Sequence, residues 1–167
     1  MTTVFTGKFV SVEHEEVRLP GGRMLMTEWV TRPDGVRVIA QRADGRVLIS
    51  HEWRIELSAR DHRLPGGKVE GVEPLVAAQQ ELREETGFVA GEWTPIGSTQ
   101  ALSMIRYRVH FFLARDLTYR PAHHDEGEDI RVKWIDLDTV IQMAYDGQIG
   151  EDASALQLLR LGAGRFG

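Results

Sequence analysis

Three glutamates, Glu81, Glu84 and Glu85, are the residues whose type and spacing point most directly to chemistry. On a helix, positions i, i+3 and i+4 share one face, so the three carboxylates converge. Such crowding is repulsive unless a cation binds there, and oxygen-rich clusters suit hard ions such as Mg²⁺ or Mn²⁺. The alternative is a solvated acidic face, which glutamates on a helix usually form.

A glycine-rich loop precedes these glutamates and adds what a helix lacks. Gly66 and Gly67 allow backbone angles that other residues avoid and bring bare backbone close to a ligand. Carbonyls of such a loop complete a metal shell, and its amides meet phosphate oxygens. The alternative is a simple turn, but loop and glutamates together favour a site for metal and phosphate.

The helix that carries the glutamates is predicted over residues 74–86. Leu75, Ala78 and Leu82 recur at helical spacing, Pro74 suits the first turn and Gly87 ends the helix. The pattern predicts an apolar stripe on the side opposite the glutamates.

Strands are predicted before this helix. Residues 8–19 and 23–30 alternate around Pro20-Gly21-Gly22, which predicts an N-terminal hairpin. Residues 36–40 and 47–50 are apolar and predict a second pair of strands, joined through residues 43–45.

More strands and two helices are predicted after it. The strands are expected at 93–97, 107–114 and 130–134, and the helices at 139–145 and 153–160, with Asp152 as an N-cap. This order favours an α+β domain, built as an α/β/α sandwich with a mixed sheet.

Composition indicates one domain over residues 1–167. The chain has 42% apolar residues, no cysteine, and 20 Lys plus Arg against 25 Asp plus Glu. The net charge of −5 argues against a stable nucleic-acid partner, and an anionic substrate would need local cations or a metal ion. Thiol catalysis and disulfides are excluded. We expect no membrane partner, since no apolar stretch has spanning length, and we expect a cytoplasmic location.

The segment from Gly67 to Phe88 resembles the Nudix box of the Nudix hydrolases. Its matching positions are Gly67, Glu73, Glu81, Leu82, Glu84, Glu85, Gly87 and Phe88. Two positions depart from the family pattern. Gln80 stands where the family has an arginine that braces the earlier acid, and seven residues rather than eight separate Glu73 from Glu81. A hydrogen bond from Gln80 to Glu73 is expected to replace that brace more weakly.

The resemblance implies a Nudix-type α/β/α fold and an activity that depends on two or more Mg²⁺ or Mn²⁺ ions. It implies that Glu81, Glu85 and the Gly66 carbonyl bind metal, and that Glu84 is a ligand or positions the attacking water. The substrate would be a nucleoside diphosphate linked to another moiety. The domain would comprise a hairpin over residues 1–32 and a core over 33–167.

Outside the box, the chain looks most like the ADP-ribose pyrophosphatase and nucleotide-sugar branch of the family. Arg54 takes the place of an arginine that follows Gln-Tyr in that branch, here Glu52-Trp53. It is a candidate contact for substrate phosphate or ribose, with a structural ion pair as the alternative. Arg63 replaces an acidic residue, which indicates altered substrate chemistry. Trp29 is a candidate for base stacking across a dimer, with plain packing as the alternative.

The loop over residues 100–106, where this branch commonly has a catalytic glutamate, contains no acid. Our hypothesis is that Glu126 or Glu128, from a later acidic loop, orients or deprotonates the attacking water. The alternative is a solvated loop, and His123 and His124 rank low as phosphate contacts.

The leading functional hypothesis is a metal-dependent pyrophosphohydrolase that acts on ADP-ribose or another nucleotide sugar, as a homodimer. Two alternatives stay open. One is a house-cleaning hydrolase of nucleoside triphosphates. The other is a degenerate Nudix domain that binds a nucleotide without cleaving it, an option that Gln80 and the missing acid motivate.

Overall fold

The structure is a computed structural model, and it describes residues 1–100, 102–120 and 130–166. These residues form ten strands and three helices. In chain order the elements are β1 (Thr2–Thr6), β2 (Ser11–Arg18), β3 (Met24–Thr31), β4 (Gly35–Ala40), β5 (Val47–Arg54), β6 (Ala59–Arg63), α1 (Pro74–Thr86), β7 (Phe88–Gln100), β8 (Ile105–Arg106), β9 (Arg108–Tyr119), β10 (Ile130–Ile135), α2 (Leu137–Tyr145) and α3 (Asp152–Gly162).

The predicted N-terminal hairpin is confirmed. Strands β2 and β3 pair antiparallel, from Ser11 opposite Thr31 to Arg18 opposite Met24. Gly21 and Gly22 form the turn at φ of 99° and 89°, angles that favour glycine. The hairpin belongs to a four-stranded sheet of order β1-β2-β3-β8, in which β1 is an additional edge strand.

The core strands form two further sheets, of order β4-β9-β7 and β10-β5-β6. The predicted pairing of β4 with β5 is therefore wrong. A tight turn does join them, with the Gly45 N–H donating to the Arg42 carbonyl at 2.9 Å. However, β4 pairs in parallel with β9, and β5 pairs with β6 and β10. Continuous apolar runs show that a strand is buried, but they do not specify its partner.

Helices cover both faces of this central layer. Val36, Val38 and Ala40 of β4 belong to the same apolar cluster as Leu82 of α1. The intervening Ile39 belongs to a second cluster, with Val140 of α2 and Leu158 of α3. Because alternate residues of a strand point to opposite faces, β4 separates the two clusters. The predicted α/β/α sandwich with mixed strand pairing is confirmed.

Helix α1 has the predicted bounds. It follows Glu73 as N-cap and ends at Gly87, whose φ is 74° and whose N–H donates to the Arg83 carbonyl. The predicted burial pattern is partly wrong, because Leu75 is 37% exposed whereas Glu85 is buried beside Leu82. Ala78, Leu82 and Glu85 lie at i, i+4 and i+7, so one stripe carries both apolar side chains and a carboxylate.

The second half of the chain follows the predicted order with longer elements. Strands β7 and β9 have 13 and 12 residues, and they pair antiparallel along most of their length. The prediction of Asp152 as an N-cap is wrong, because the N-cap of α3 is Glu151. Within the described ranges, none of the helices combines the length and the apolar character needed to cross a bilayer.

Candidate active site

A cleft of about 440 Å³ lies where β4, β5, α1 and the glycine-rich loop meet. Carboxylates and cations line it in equal number. The carboxylates belong to Glu52, Glu70, Glu81 and Glu85, and the cations to Arg32, Arg37, Arg54 and Lys68. A cavity lined by both kinds of charge suits a ligand that combines metal ions with phosphate oxygens.

The glycine-rich loop is held against β4 by two backbone hydrogen bonds. The Val38 N–H donates to the Pro65 carbonyl, and the Val36 N–H donates to the Gly67 carbonyl, both at 2.9 Å. Gly66, at φ 149°, approaches the Val36 carbonyl so closely that a Cβ would overlap it. Among the described residues, the Gly66 carbonyl accepts none of the backbone hydrogen bonds of this loop. That carbonyl is therefore a candidate for the metal contact that the resemblance implies.

Gly67 makes room for Glu81. A Cβ at Gly67 would overlap the Oε1 atom of Glu81. Any side chain at this position would therefore displace the carboxylate, which explains physically why glycine precedes the acidic helix. The loop and the helix form one site, as the sequence predicts.

Glu85 is the deepest carboxylate of the cleft, with 8% of its surface exposed. Its Oε2 accepts a hydrogen bond from the Gly66 N–H at 2.9 Å. Burial raises the pKa of Glu85 well above its usual value, and the nearby charges of Glu52 and Glu81 raise it further. The Gly66 N–H and Arg37 act in the opposite direction. A bound cation would remove this electrostatic cost.

These residues fit a divalent ion. Within the described ranges, no three histidine, aspartate or glutamate side chains form a preassembled metal group. Two carboxylates and one carbonyl nevertheless suffice for Mg²⁺, which keeps several waters and shares its shell with substrate phosphate. Glu81, Glu85 and the Gly66 carbonyl, whose residues all line the cleft, are the candidates for this set.

The structure does not bring Glu84 into this group. Glu84 is exposed and does not line the cleft, whereas Glu81 and Glu85, four residues apart, do. The expected bond between Gln80 and Glu73 is also wrong, since the described hydrogen bonds include none between them, and Gln80 lies exposed by a different pocket.

Arg37 supplies a fixed positive charge. Its Nε and Nη2 atoms donate to the two carboxylate oxygens of Glu151 at 2.9 and 3.2 Å. Ser154 Oγ donates to Glu151 as well, at 2.6 Å. Burial alone would lower the pKa of Arg37, but the charge and hydrogen bonds of Glu151, together with Tyr107 and Glu85, raise it above its usual value, so the guanidinium stays charged. Arg37 is thus held in place by the start of α3.

Arg54 forms the structural ion pairs of one predicted alternative, and its contact with substrate stays a prediction. It lines the cleft, and it also forms ion pairs with Glu56 at 2.7 Å and with Glu52 at 3.5 Å. Arg63 is placed differently. It is buried, its Nε contacts Asp61 Oδ2 at 3.0 Å, and it is not among the cleft residues.

Trp29 lies one pocket away from the acidic cleft. The neighbouring pocket, about 620 Å³, shares Arg32 and Tyr107 with the cleft. The Arg106 guanidinium lies 4.8 Å from the centre of the Trp29 ring, and among the described residues the buried indole Nε1 has no hydrogen-bond partner. A ligand spanning both pockets would pass Tyr107.

Glu126, Glu128, His123 and His124 lie outside the described residues.

The sequence marks Glu52 only as a departure from Gln-Tyr, yet Glu52 lines the cleft. Tyr107 was read only as part of a buried strand, but the Arg32 guanidinium stacks 4.3 Å from its ring at the edge of the cleft. Strand alternation gives no sign that either residue faces a cavity.

Residues 31–157 match the family model of the NUDIX domain. The chain belongs to the Nudix family. This Nudix protein is 30% identical over 164 residues to the ADP-ribose pyrophosphatase of Bacillus subtilis (strain 168). The aligned region covers 95% of this chain and 89% of the relative. It is 29% identical to the methanol dehydrogenase activator of Bacillus methanolicus, over 95% and 89% of the two chains.

A solved structure supports the fold. The crystal structure of an ADP compounds hydrolase superposes with a TM-score of 0.81 at 23% identity, and covers 98% of this chain and 92% of the other. The predicted assignment to the Nudix hydrolases is confirmed by these matches together.

Proposed function

We propose that this Nudix protein is a metal-dependent pyrophosphohydrolase that cleaves the diphosphate of ADP-ribose or another nucleotide sugar. The observation that carries the proposal is the approach of Glu81 and Glu85 to the Gly66-Gly67 loop, in a cleft that also contains four cationic side chains. The name of the Bacillus subtilis relative supports the substrate class.

Glu81, Glu85 and the Gly66 carbonyl would bind Mg²⁺ or Mn²⁺. Such ions neutralise the diphosphate, polarise its P–O bonds and lower the pKa of a bound water. Arg37 and Arg54 bind phosphate oxygens through the N–H groups that their carboxylate partners leave open. Arg37 gives the more rigid contact, because Glu151 fixes it on two atoms.

The pocket beside Trp29 is the proposed place for the base or the second sugar, since it joins the cleft at Arg32 and Tyr107. Glu84 remains a proposed water-positioning group, from the exposed side of α1. Arg63 would influence the substrate indirectly, by holding Asp61.

A homodimer is proposed from the N-terminal sheet. Strand β1 is an exposed edge, and the apolar side chains of Val4, Phe5, Met24, Leu25 and Met26 are exposed on this sheet. Exposed apolar strands of this kind commonly mark an interface. The cytoplasm remains the proposed location.

A substrate screen tests the activity. ADP-ribose, other nucleotide sugars, dinucleotides and nucleoside triphosphates are incubated with Mg²⁺ or Mn²⁺, and orthophosphate is measured after coupling to a phosphatase. We expect product from ADP-ribose or a nucleotide sugar, and none after chelation of the metal. Preference for triphosphates would favour the house-cleaning alternative. If calorimetry detects binding of a nucleotide but no product is released, the result would favour a nucleotide sensor.

A further inference from the structure

We propose that Glu52 is the general base that takes a proton from the attacking water, an inference that rests on the proposed function. Glu52 lies on β5, whereas the metal-binding carboxylates lie on α1. It nevertheless lines the same cleft as Glu81 and Glu85, and its side chain is only 14% exposed. Glu52 therefore faces the cleft from β5, whereas Glu81 and Glu85 face it from α1.

A buried hydroxyl orients this carboxylate. Ser50, which is fully buried two residues earlier, donates its Oγ hydrogen to Glu52 Oε1 at 2.6 Å. The Arg63 carbonyl lies farther from the same Oγ, at 3.2 Å. Because a hydroxyl has one hydrogen, the shorter contact holds it, and Glu52 Oε1 is fixed. A base held by a third group is the arrangement that activated nucleophiles generally require.

The other oxygen of Glu52 is only weakly engaged. Arg54 Nη1 lies 3.5 Å from Glu52 Oε2, longer than the usual charge-assisted hydrogen bond of about 2.7–2.9 Å. Arg54 has a shorter contact with Glu56, at 2.7 Å. One oxygen is thus anchored and the other is left to accept a proton in the cleft.

A shared metal ligand is the competing role for Glu52. Glu52 is close enough to influence Glu85 electrostatically, and within the described ranges no three acidic side chains form a preassembled metal group. The base role is assigned from the anchored Oε1 and the weakly engaged Oε2 of Glu52. Measuring the Mg²⁺ affinity of Glu52→Gln separates the two roles.

The proton and bond changes balance. The water oxygen bonds to one phosphorus while the bond from that phosphorus to the bridging oxygen breaks. The bridging oxygen keeps the electron pair and leaves on the second phosphate. Glu52 takes one water proton and passes it to solvent, and the other proton stays on the new phosphate until it ionises. The products are two phosphate monoesters.

The test compares Glu52→Gln with the parent and with Glu92→Gln, an exposed control on β7. Loss of a general base is expected to lower kcat about 10²- to 10⁴-fold, with KM nearly unchanged. Calorimetry should show the same Mg²⁺ affinity in the variant and the parent, and both should melt cooperatively. Glu92→Gln should retain parental kcat.

A second variant separates a chemical role from a structural one. Glu52→Ala opens space for a small carboxylate, so added formate should restore part of the turnover without stimulating the parent. Ser50→Ala should lower kcat less than Glu52→Gln, because the carboxylate stays but loses its anchor.

Several results would overturn the proposal. Parental kcat in Glu52→Gln would remove the base role, and so would a loss of Mg²⁺ affinity or a failure of formate to restore turnover. Loss of turnover in Glu126→Gln or Glu128→Gln, with Glu52→Gln active, would confirm the sequence-based hypothesis instead. A parent that hydrolyses nothing in the screen overturns the proposed function as well, whereas an active parent with an active Glu52→Gln overturns only the base.

Discussion

Two acidic regions of this protein differ in how their charge is balanced. On the N-terminal sheet, Glu13 and Glu15 accept hydrogen bonds from the same Arg106 guanidinium at 2.7 and 2.6 Å. In the cleft, Glu85 instead faces Glu52 and Glu81, and its pKa is raised. The first two carboxylates share one arginine as a direct partner, and the second region holds a buried carboxylate near two others, whose charge a bound cation can balance.

The comparison shows what distinguishes a structural acid from a functional one. Both regions have glutamates at spacings that place them on one face, period two on a strand and period four on a helix. The spacing is therefore the same kind of signal in both cases. The difference is in the contacts: Arg106 donates directly to both acids of the N-terminal sheet, whereas Glu85 is buried, accepts from a backbone N–H and lies near two other carboxylates.

The largest expected effect comes from removing the charge of the buried acid. Glu85→Gln should lower kcat on the order of 10³-fold or more, because several kcal/mol of metal-dependent stabilisation is lost and each 1.4 kcal/mol is tenfold. Phosphate release measures the rate, and circular dichroism checks the fold. The matched control, Glu15→Gln, should keep its activity. Equal activity in Glu85→Gln and the parent would show that the cleft holds no catalytic metal there.

A glycine substitution should have the next largest effect. Gly67→Ala places a Cβ where Glu81 Oε1 now lies, so the carboxylate must move. We expect weaker Mn²⁺ binding and lower turnover, with a smaller loss than in Glu85→Gln because both acids remain. Gly45→Ala is the control for loss of stability alone: its φ of 86° strains an alanine, but a Cβ there meets nothing within 4 Å and Gly45 does not line the cleft, so Mn²⁺ affinity should be unchanged. Unchanged Mn²⁺ affinity would contradict the close approach of loop and helix.

The change in Tm on replacing a glutamate by glutamine should have opposite signs in the two regions. A carboxylate whose pKa is raised in the folded state loses stability as pH rises from its unfolded value, about 4.3, through its folded value. At neutral pH, Glu85→Gln should therefore raise the Tm of the metal-free protein, by about 2–4 °C for each kcal/mol recovered. It should also abolish most of the Tm increase that Mg²⁺ gives the parent. Scanning calorimetry with and without Mg²⁺ provides the measurement, and a lower Tm in the metal-free variant would reverse the assignment.

The smallest change in Tm is expected on the N-terminal sheet, where Glu13 and Glu15 pair with Arg106. Glu15→Gln should lower the Tm by no more than about 4 °C, because a half-exposed ion pair contributes about 1 kcal/mol at most. Added salt should reduce the difference, and Mg²⁺ should leave it unchanged. A Mg²⁺-dependent difference would mean that the hairpin acids also bind cations.

The site could be predicted from the sequence where its parts are close in the chain. The bounds of α1 followed from Pro74 and Gly87, which act on the backbone next to them. The approach of Gly67 to Glu81 was also foreseeable as a loop beside a helix. Glu52 was missed because it is distant from α1 in sequence, and only the sheet brings it to the cleft.

The errors have the same origin. The pairing of β4 with β5 was inferred from a short turn, but β4 lies beside β9, about seventy residues later. The sequence predicts Leu75 on the buried face, but α1 packs against β4 through Ala78 and Leu82, and Leu75 is exposed. In both cases, the outcome depended on which distant surface the element packs against, and no local pattern encodes that surface.

The sequence alone determined the family, the acidic helix and the glycine-rich loop, because these depend on residue type and on spacings of a few positions. Tertiary structure decided which carboxylates share a cavity, which arginines neutralise them and which acid lies deepest. Those properties follow from burial and from charges brought together across the chain, and both exist only after the sheets and helices have packed.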